Sequence, residues 1–256
     1  MKYLYLILFG LMLFNCKEER KPLNLSADEI VAKSIEKAGG KAFDNSVIRF
    51  NFRDKYYVAR RDRGRFSLVR MFKDGNDSVF DLLTNSNFDR FINNSRVILE
   101  DSMRAKFSAS VNSVHYFSVL PYGLNAKAVN KTLLGEEQIK GKDYYKIKVT
   151  FDKEGGGEDY EDVFVYWVKK DTFNVDYLAY SYNEEDGIGM RFREAYNERF
   201  VNGLRFVDYN NYKTENSAVE LFDLGKAFNK NELKLLSKIE LEHIEVELLD
   251  QEKKVF

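Results

Sequence analysis

The chain of 256 residues has one cysteine, two prolines, two histidines and one tryptophan. A single cysteine excludes an internal disulfide, a cysteine-based zinc cluster and a thiol redox pair. With so few imidazoles, a histidine triad or histidine metal site would have to use His115 or His243. Neither sign of charge dominates: 40 Lys+Arg stand against 41 Asp+Glu. The basic surplus from which a nucleic-acid binder gains counterion-release energy is therefore missing. One short apolar run is too little for a polytopic membrane protein. No Pro/Gly/Ser-rich linker and no solenoid repeat interrupts residues 26–250. What the chain does have is 21 Phe and 16 Tyr alongside 32% charged residues, the composition of a globular domain.

The apolar run is Leu4 to Phe14, preceded by Lys2 and followed by Asn15 and Cys16. It falls short of the roughly 30 Å of hydrocarbon a spanning helix must cross, but suits the core of a signal peptide. The only cysteine stands where that core ends, and its thiol is the one group there that can form a diacylglyceryl thioether. The expected organisation is a signal peptide over 1–15, a lipidated tether over 16–25 and one domain over 26–250, with a tail over 251–256. Cys16 is the expected lipidation site. An ordinary signal peptide or a buried cysteine is the alternative, because Asn15 occupies a position usually held by a small residue. The charged stretch Lys17-Glu18-Glu19-Arg20-Lys21-Pro22 reads as the spacer. These features predict a monomeric outer-membrane lipoprotein of the cell envelope, facing the periplasm or the surface, with the membrane as a partner through its anchor.

Ser26-Ala27-Asp28-Glu29 has capping-box spacing and Gly39-Gly40 supplies a stop, which predicts a helix between them. From Val47 the period becomes two, over Val47–Phe52, Tyr56–Ala59 and Arg65–Arg70. Met103, Phe107, Val111, Val114 and Phe117 return to helical spacing, and Leu120-Pro121-Tyr122-Gly123 ends that segment. Beyond it, Tyr145, Ile147, Val149 and Phe151 alternate with polar residues, while Val163–Val168 is continuously apolar, as for a strand covered on both faces. Asn202-Gly203 predicts a type I′ hairpin. In Lys238–Leu249 the apolar phase slips at His243, which predicts a bulge. The sum is a mainly β (α+β) domain: a single curved antiparallel sheet or half-barrel of about ten strands with a few covering helices.

No motif fixes a reaction. Gly-x-Ser-x-Gly, His-Glu-x-x-His and the phosphate-binding loop are all absent, and Gly187-Ile188-Gly189 reads as a hairpin turn running into a strand. Glu158, Asp159, Glu161 and Asp162 beside Gly155-Gly156-Gly157 are weak candidates for a hard cation, a solvated acidic turn being the alternative. Arg60, Arg61, Arg63 and Arg65 could face anionic headgroups or simply form a charged hairpin tip. Arg191, Arg193 and Asn197 fall on one face of a strand, where they could bind an anion or pair with carboxylates. The aromatic content fits a cavity for an amphiphile as well as it fits a filled core.

Several segments together resemble an uncharacterised family of Gram-negative lipoproteins. They are His115-Tyr116-Phe117 with Leu120-Pro121-Tyr122-Gly123-Leu124-Asn125, Gly155–Phe164, Asp176-Tyr177-Leu178-Ala179-Tyr180, Arg191–Ala195 and Phe206-Val207-Asp208-Tyr209. The order of elements is similar to the LolA/LolB-type lipoprotein-carrier fold, an open half-barrel whose concave face is covered by helices and holds acyl chains. The resemblance brings no catalytic residue and no cofactor. It implies a non-enzymatic, membrane-tethered protein that binds a lipid or other amphiphile, with Tyr116, Phe117, Trp167, Arg191 and Arg193 as candidate ligand-binding residues. The alternatives are a structural lipoprotein with a filled core and no ligand, and a hydrolase using carboxylates near 158–162 with Arg193 or His115.

Overall fold

The computed structural model describes residues 25–155, 160–184 and 187–249. The expected leader, Cys16 and the tail lie outside them. The chain enters on α1 (Ala27–Ala38), where Ser26 Oγ accepts from the Glu29 N–H at 3.2 Å. The Ser26 N–H donates in return to Glu29 Oε2 at 2.8 Å, completing the predicted capping box. Gly39 ends the helix at φ 130°, and a Cβ there would lie 2.5 Å from Leu204 Cδ2, so both the angle and the space require glycine.

Among the described residues, fourteen strands form two open antiparallel sheets of seven. The first contains β1 (Asn45–Phe52), β2 (Lys55–Asp62), β3 (Arg65–Asp74), β4 (Asp77–Thr84), β5 (Phe88–Ile92) and β6 (Ser95–Val97). Helix α2 (Asp101–Ser118) then leads to the second, made by β7 (Val129–Ile139), β8 (Lys142–Phe151), β9 (Val163–Lys169), β10 (Val175–Glu184), β11 (Gly187–Val201) and β12 (Leu204–Thr214). After a short 3-10 turn and α3 (Leu224–Asn229), β13 (Leu233–Ile239) pairs with β12, and β14 (Glu242–Leu248) departs to pair with β1. The mainly β half-barrel is thus the observed architecture, with more strands than the ten expected. The excess lies in segments such as β6 and β7, which are short or largely solvent-facing and so carry little hydrophobic alternation.

The segment 238–249 is two strands divided between the sheets. At the crossing, the Leu241 N–H donates to Asp208 Oδ1 at 2.9 Å. The bulge expected at His243 is present: its φ is 52° and the pairing of β1 with β14 slips between Arg49 and Asn51. Asn202 and Gly203, at φ 46° and 84°, make the tight hairpin between β11 and β12. Gly187-Ile188-Gly189 is itself part of β11, paired with β10, and the turn before it falls outside the described residues.

Alternation along the strands builds two apolar clusters. The larger joins both sheets, through residues such as Phe50, Tyr57, Ile147, Tyr166 and Tyr209, with Ile30 and Val31 of α1 and Val111 of α2. The smaller lies on the other side of the second sheet, where Trp167, Tyr177 and Phe192 sit beneath Leu224 and Phe228 of α3. Strand β9 supplies both, and Val165, Tyr166, Trp167 and Val168 are each no more than 1% exposed, as its unbroken apolar sequence predicts.

Candidate functional site

Helix α2 is fixed along one flank to β3, β4 and β5. Asp81 of β4, 0% exposed, takes Arg70 Nη2 at 2.7 Å and Arg90 Nε at 2.6 Å. Both arginines then reach the helix: Arg70 Nη1 donates to Ser110 Oγ at 2.7 Å, and the Arg90 guanidinium lies 3.5 Å from the centre of the Phe107 ring. His115 Nε2 donates to the Val69 carbonyl at 3.0 Å, which makes Nε2 the protonated nitrogen, since a carbonyl only accepts.

The other flank of α2 faces the second sheet across a cleft of about 730 Å³. Its apolar walls are Phe66 and Leu83 from the first sheet, Phe117 and Leu120 from the end of the helical segment, and Phe151, Phe164 and Leu178 from β8, β9 and β10. Phe164 organises the aromatic wall, stacked 5.4 Å from Tyr180 and edge-on to Tyr116 and Phe151 at 6.2 and 5.8 Å. Tyr116 and Tyr166 share a hydroxyl–hydroxyl hydrogen bond of 3.0 Å. Burial pushes Tyr116 up to about 12 and Tyr166 well above the ordinary phenol value, so both are neutral hydrogen-bonding groups at physiological pH.

Arg193 enters the same cleft from β11. Its Nη2 donates to Tyr180 Oη at 2.9 Å, and its guanidinium lies 4.9, 5.0 and 6.0 Å from the ring centres of Phe117, Tyr180 and Tyr209. Among the described residues it has no carboxylate within ion-pair distance.

Of the residues singled out in the sequence, Tyr116, Phe117 and Arg193 meet in this cleft. Trp167 does not. It occupies the opposite phase of β9 from Tyr166 and packs under α3, where a Cβ on Gly225 would stand 2.9 Å from its ring. Arg191 shares the phase of Arg193 but lies outside the cleft lining, with its guanidinium 5.2 Å from the Tyr182 ring. Asn197 leaves that face because β11 bulges between Tyr196 and Arg199, and it donates to Asp208 Oδ2 at 2.6 Å. Around the hairpin between β2 and β3, Asp62 lies within 3.7, 2.9 and 3.8 Å of Arg60, Arg63 and Arg65, while Arg61 turns inward over Tyr122.

Glu158 and Asp159 lie outside the described residues. Glu161 accepts from Tyr160 Oη and Asn183 Nδ2, both at 3.2 Å, and Asp162 lines the cleft. No group of three or more His, Cys, Asp or Glu among the described residues could hold a metal ion. His115 is 1% exposed, and burial pulls its pKa down to about 3, assisted by Arg61 and Arg70 and opposed by the Val69 bond. The sequence reading missed most of the wall, namely Phe66, Leu83, Phe151, Phe164 and Leu178. Alternation shows which of them share a strand face, but not which interior positions are left unfilled.

The fold and site together define an open antiparallel half-barrel with an aromatic-walled cleft beneath a helix, into which Arg193 projects. The chain belongs to the family of unknown function DUF6503, matched over residues 3–241. No curated protein matches it. Among solved structures it is similar to a LolA superfamily protein from Nitrosomonas europaea, with 14% identity over 88% of this chain and 94% of that one and a TM-score of 0.49. A DUF1329 family protein from Desulfovibrio piger shows 12% identity over 86% and 92% of the two chains, with a TM-score of 0.38. The lipoprotein LppX of Mycobacterium tuberculosis shows 14% identity over 62% and 90%, with a TM-score of 0.28.

Proposed function

We propose that the protein is a membrane-tethered envelope lipoprotein, a single domain on a lipidated Cys16, that holds a lipid or other amphiphile in the cleft beneath α2 without acting on it chemically. The observation that carries this reading is the cleft itself. Protein interiors are normally packed to crystal-like density, whereas here a cleft of about 730 Å³, open to solvent on one side, runs between α2 and the second sheet, with aromatic and aliphatic walls and polar side chains such as Asn85, Ser108, Asn112 and Ser113 among its lining. That is the size of a small-molecule site, and each methylene group buried there contributes about 0.8 kcal/mol. A lipoprotein whose interior only supports the fold would have no use for it. The tether would keep such a binding domain at the outer membrane, close to a source of acyl chains.

The test is native mass spectrometry of a soluble form beginning at Lys17, purified gently from a Gram-negative host and followed by organic extraction. The expected result is an amphiphile at stoichiometric level, or saturable binding of a fluorescent acyl probe once the protein is stripped. An apo mass combined with no probe binding rejects the reading.

A further inference from the structure

We infer that the bound amphiphile carries a single anionic head, carboxylate or phosphate, and that Arg193 receives it; this rests on the cleft being the ligand site. A guanidinium has five N–H donors and no means of becoming neutral at physiological pH. In Arg193, Nη2 is used by Tyr180, and among the described residues Nε is buried with no partner and Nη1 makes no hydrogen bond. Three aromatic rings offset part of the charge, but ring faces are a weaker counterpart than a carboxylate.

The other arginines partly or wholly buried on the strands show what is missing. Arg70 and Arg90 share Asp81, Arg199 meets Asp208 at 2.9 Å, and Arg205 meets Glu198 at 2.6 Å. Among the described residues Arg61 has no ion pair either, but it rests on Tyr122, whose hydroxyl is bonded to Asp44, and it lies outside this cleft. Arg193 is the arginine that both lines the large cleft and lacks a carboxylate among the described residues.

The rest of the cleft agrees. Among the described residues, its charged lining side chains are Arg193, Lys153 and Asp162. Tyr180 Oη accepts from Arg193, which leaves its own O–H to donate, so the arginine and the phenol offer two donors side by side. An anionic oxygen pair there would be held by charge-assisted hydrogen bonds, with its chain running along Phe164, Phe151 and Leu178.

The experiment measures displacement of an uncharged fluorescent acyl probe from the stripped soluble protein by palmitate, methyl palmitate, a lysophosphatidic acid and the matching monoacylglycerol. The wild type is expected to favour an acid over its uncharged partner by about ten- to a hundredfold. The stronger of the two acids identifies carboxylate or phosphate as the source. Arg193→Met should abolish the preference while leaving the ester unchanged, and Arg193→Lys should retain part of it. If Arg193→Met does not fold, judged by near-ultraviolet circular dichroism, Tyr180→Phe removes the second donor and should narrow the ratio. Equal binding of acid and ester by the wild type, or a preference that survives both variants, overturns the head-group assignment and leaves the cleft reading intact. Failure of every ligand to bind the wild type overturns both.

Discussion

His115 is one of the two histidines that a triad or metal site would have to use, and its burial decides its chemistry. Nε2 is committed to the Val69 carbonyl, Nδ1 is buried without a partner, and the pKa falls from 6.5 to about 3. Below pH 6.5 the unfolded chain takes up a proton that the folded chain refuses, so this residue lowers stability as pH falls and the effect levels off near pH 3. The slope approaches about 1.4 kcal/mol per pH unit inside that window. Urea unfolding of wild type and His115→Gln from pH 7 to 3 isolates the term, because carboxylate titration is common to both. The expected difference narrows steadily in favour of the variant on acidification, and parallel profiles would contradict it. The glutamine amide can still donate to Val69.

At the scale of elements, α2 is the piece on which the site depends. Its sequence signals a helix, but nothing local says that Asp81, Arg70 and Arg90, from three different strands, will hold one flank of it. Asp81→Asn keeps the shape of that side chain and removes its charge, leaving the buried Arg70 and the partly buried Arg90 without that carboxylate. The expected loss is about 3–5 kcal/mol, read as a lower urea midpoint. Amide exchange in α2 should accelerate more than in β9, since the helix loses its attachments while β9 keeps its ladder and its two covered faces. Uniform acceleration would mean that α2 has no separate dependence on the cluster. Other elements declare themselves locally. The capping box of α1, the Asn202-Gly203 hairpin and the His243 bulge need only their immediate neighbours, which explains why each is legible in the sequence.

At the scale of the whole molecule, the proposed tether and the cleft can be tested separately. No helix among the described residues is long and apolar enough to cross a membrane. If the proposed lipid anchor at Cys16 is what holds the protein on the membrane, Cys16→Ser is expected to move it from the membrane fraction to the soluble fraction of a Gram-negative host without changing acyl-probe affinity, since the cleft is lined by residues 66–193. Retention of the serine variant on the membrane would reject the anchor. A parallel loss of probe binding would instead tie the site to the tether.

Strand and helix periods, capping and turn chemistry, and the absence of reaction motifs were determined by the sequence itself, because each depends on residues adjacent in the chain. Alternation also placed Arg193 with Arg191, and Tyr145, Ile147, Val149 and Phe151 together, on common strand faces. The tertiary structure decided which of those faces turns inward, how the two sheets meet α2, and therefore that Tyr116, Phe117 and Arg193 line the cleft while Trp167 packs beneath α3. Period two distinguishes the sides of a strand and is silent on what covers each side, and β9, buried on both, makes that ambiguity complete. An unfilled volume is likewise a property of packed elements, set by contacts far apart in sequence that no local pattern encodes.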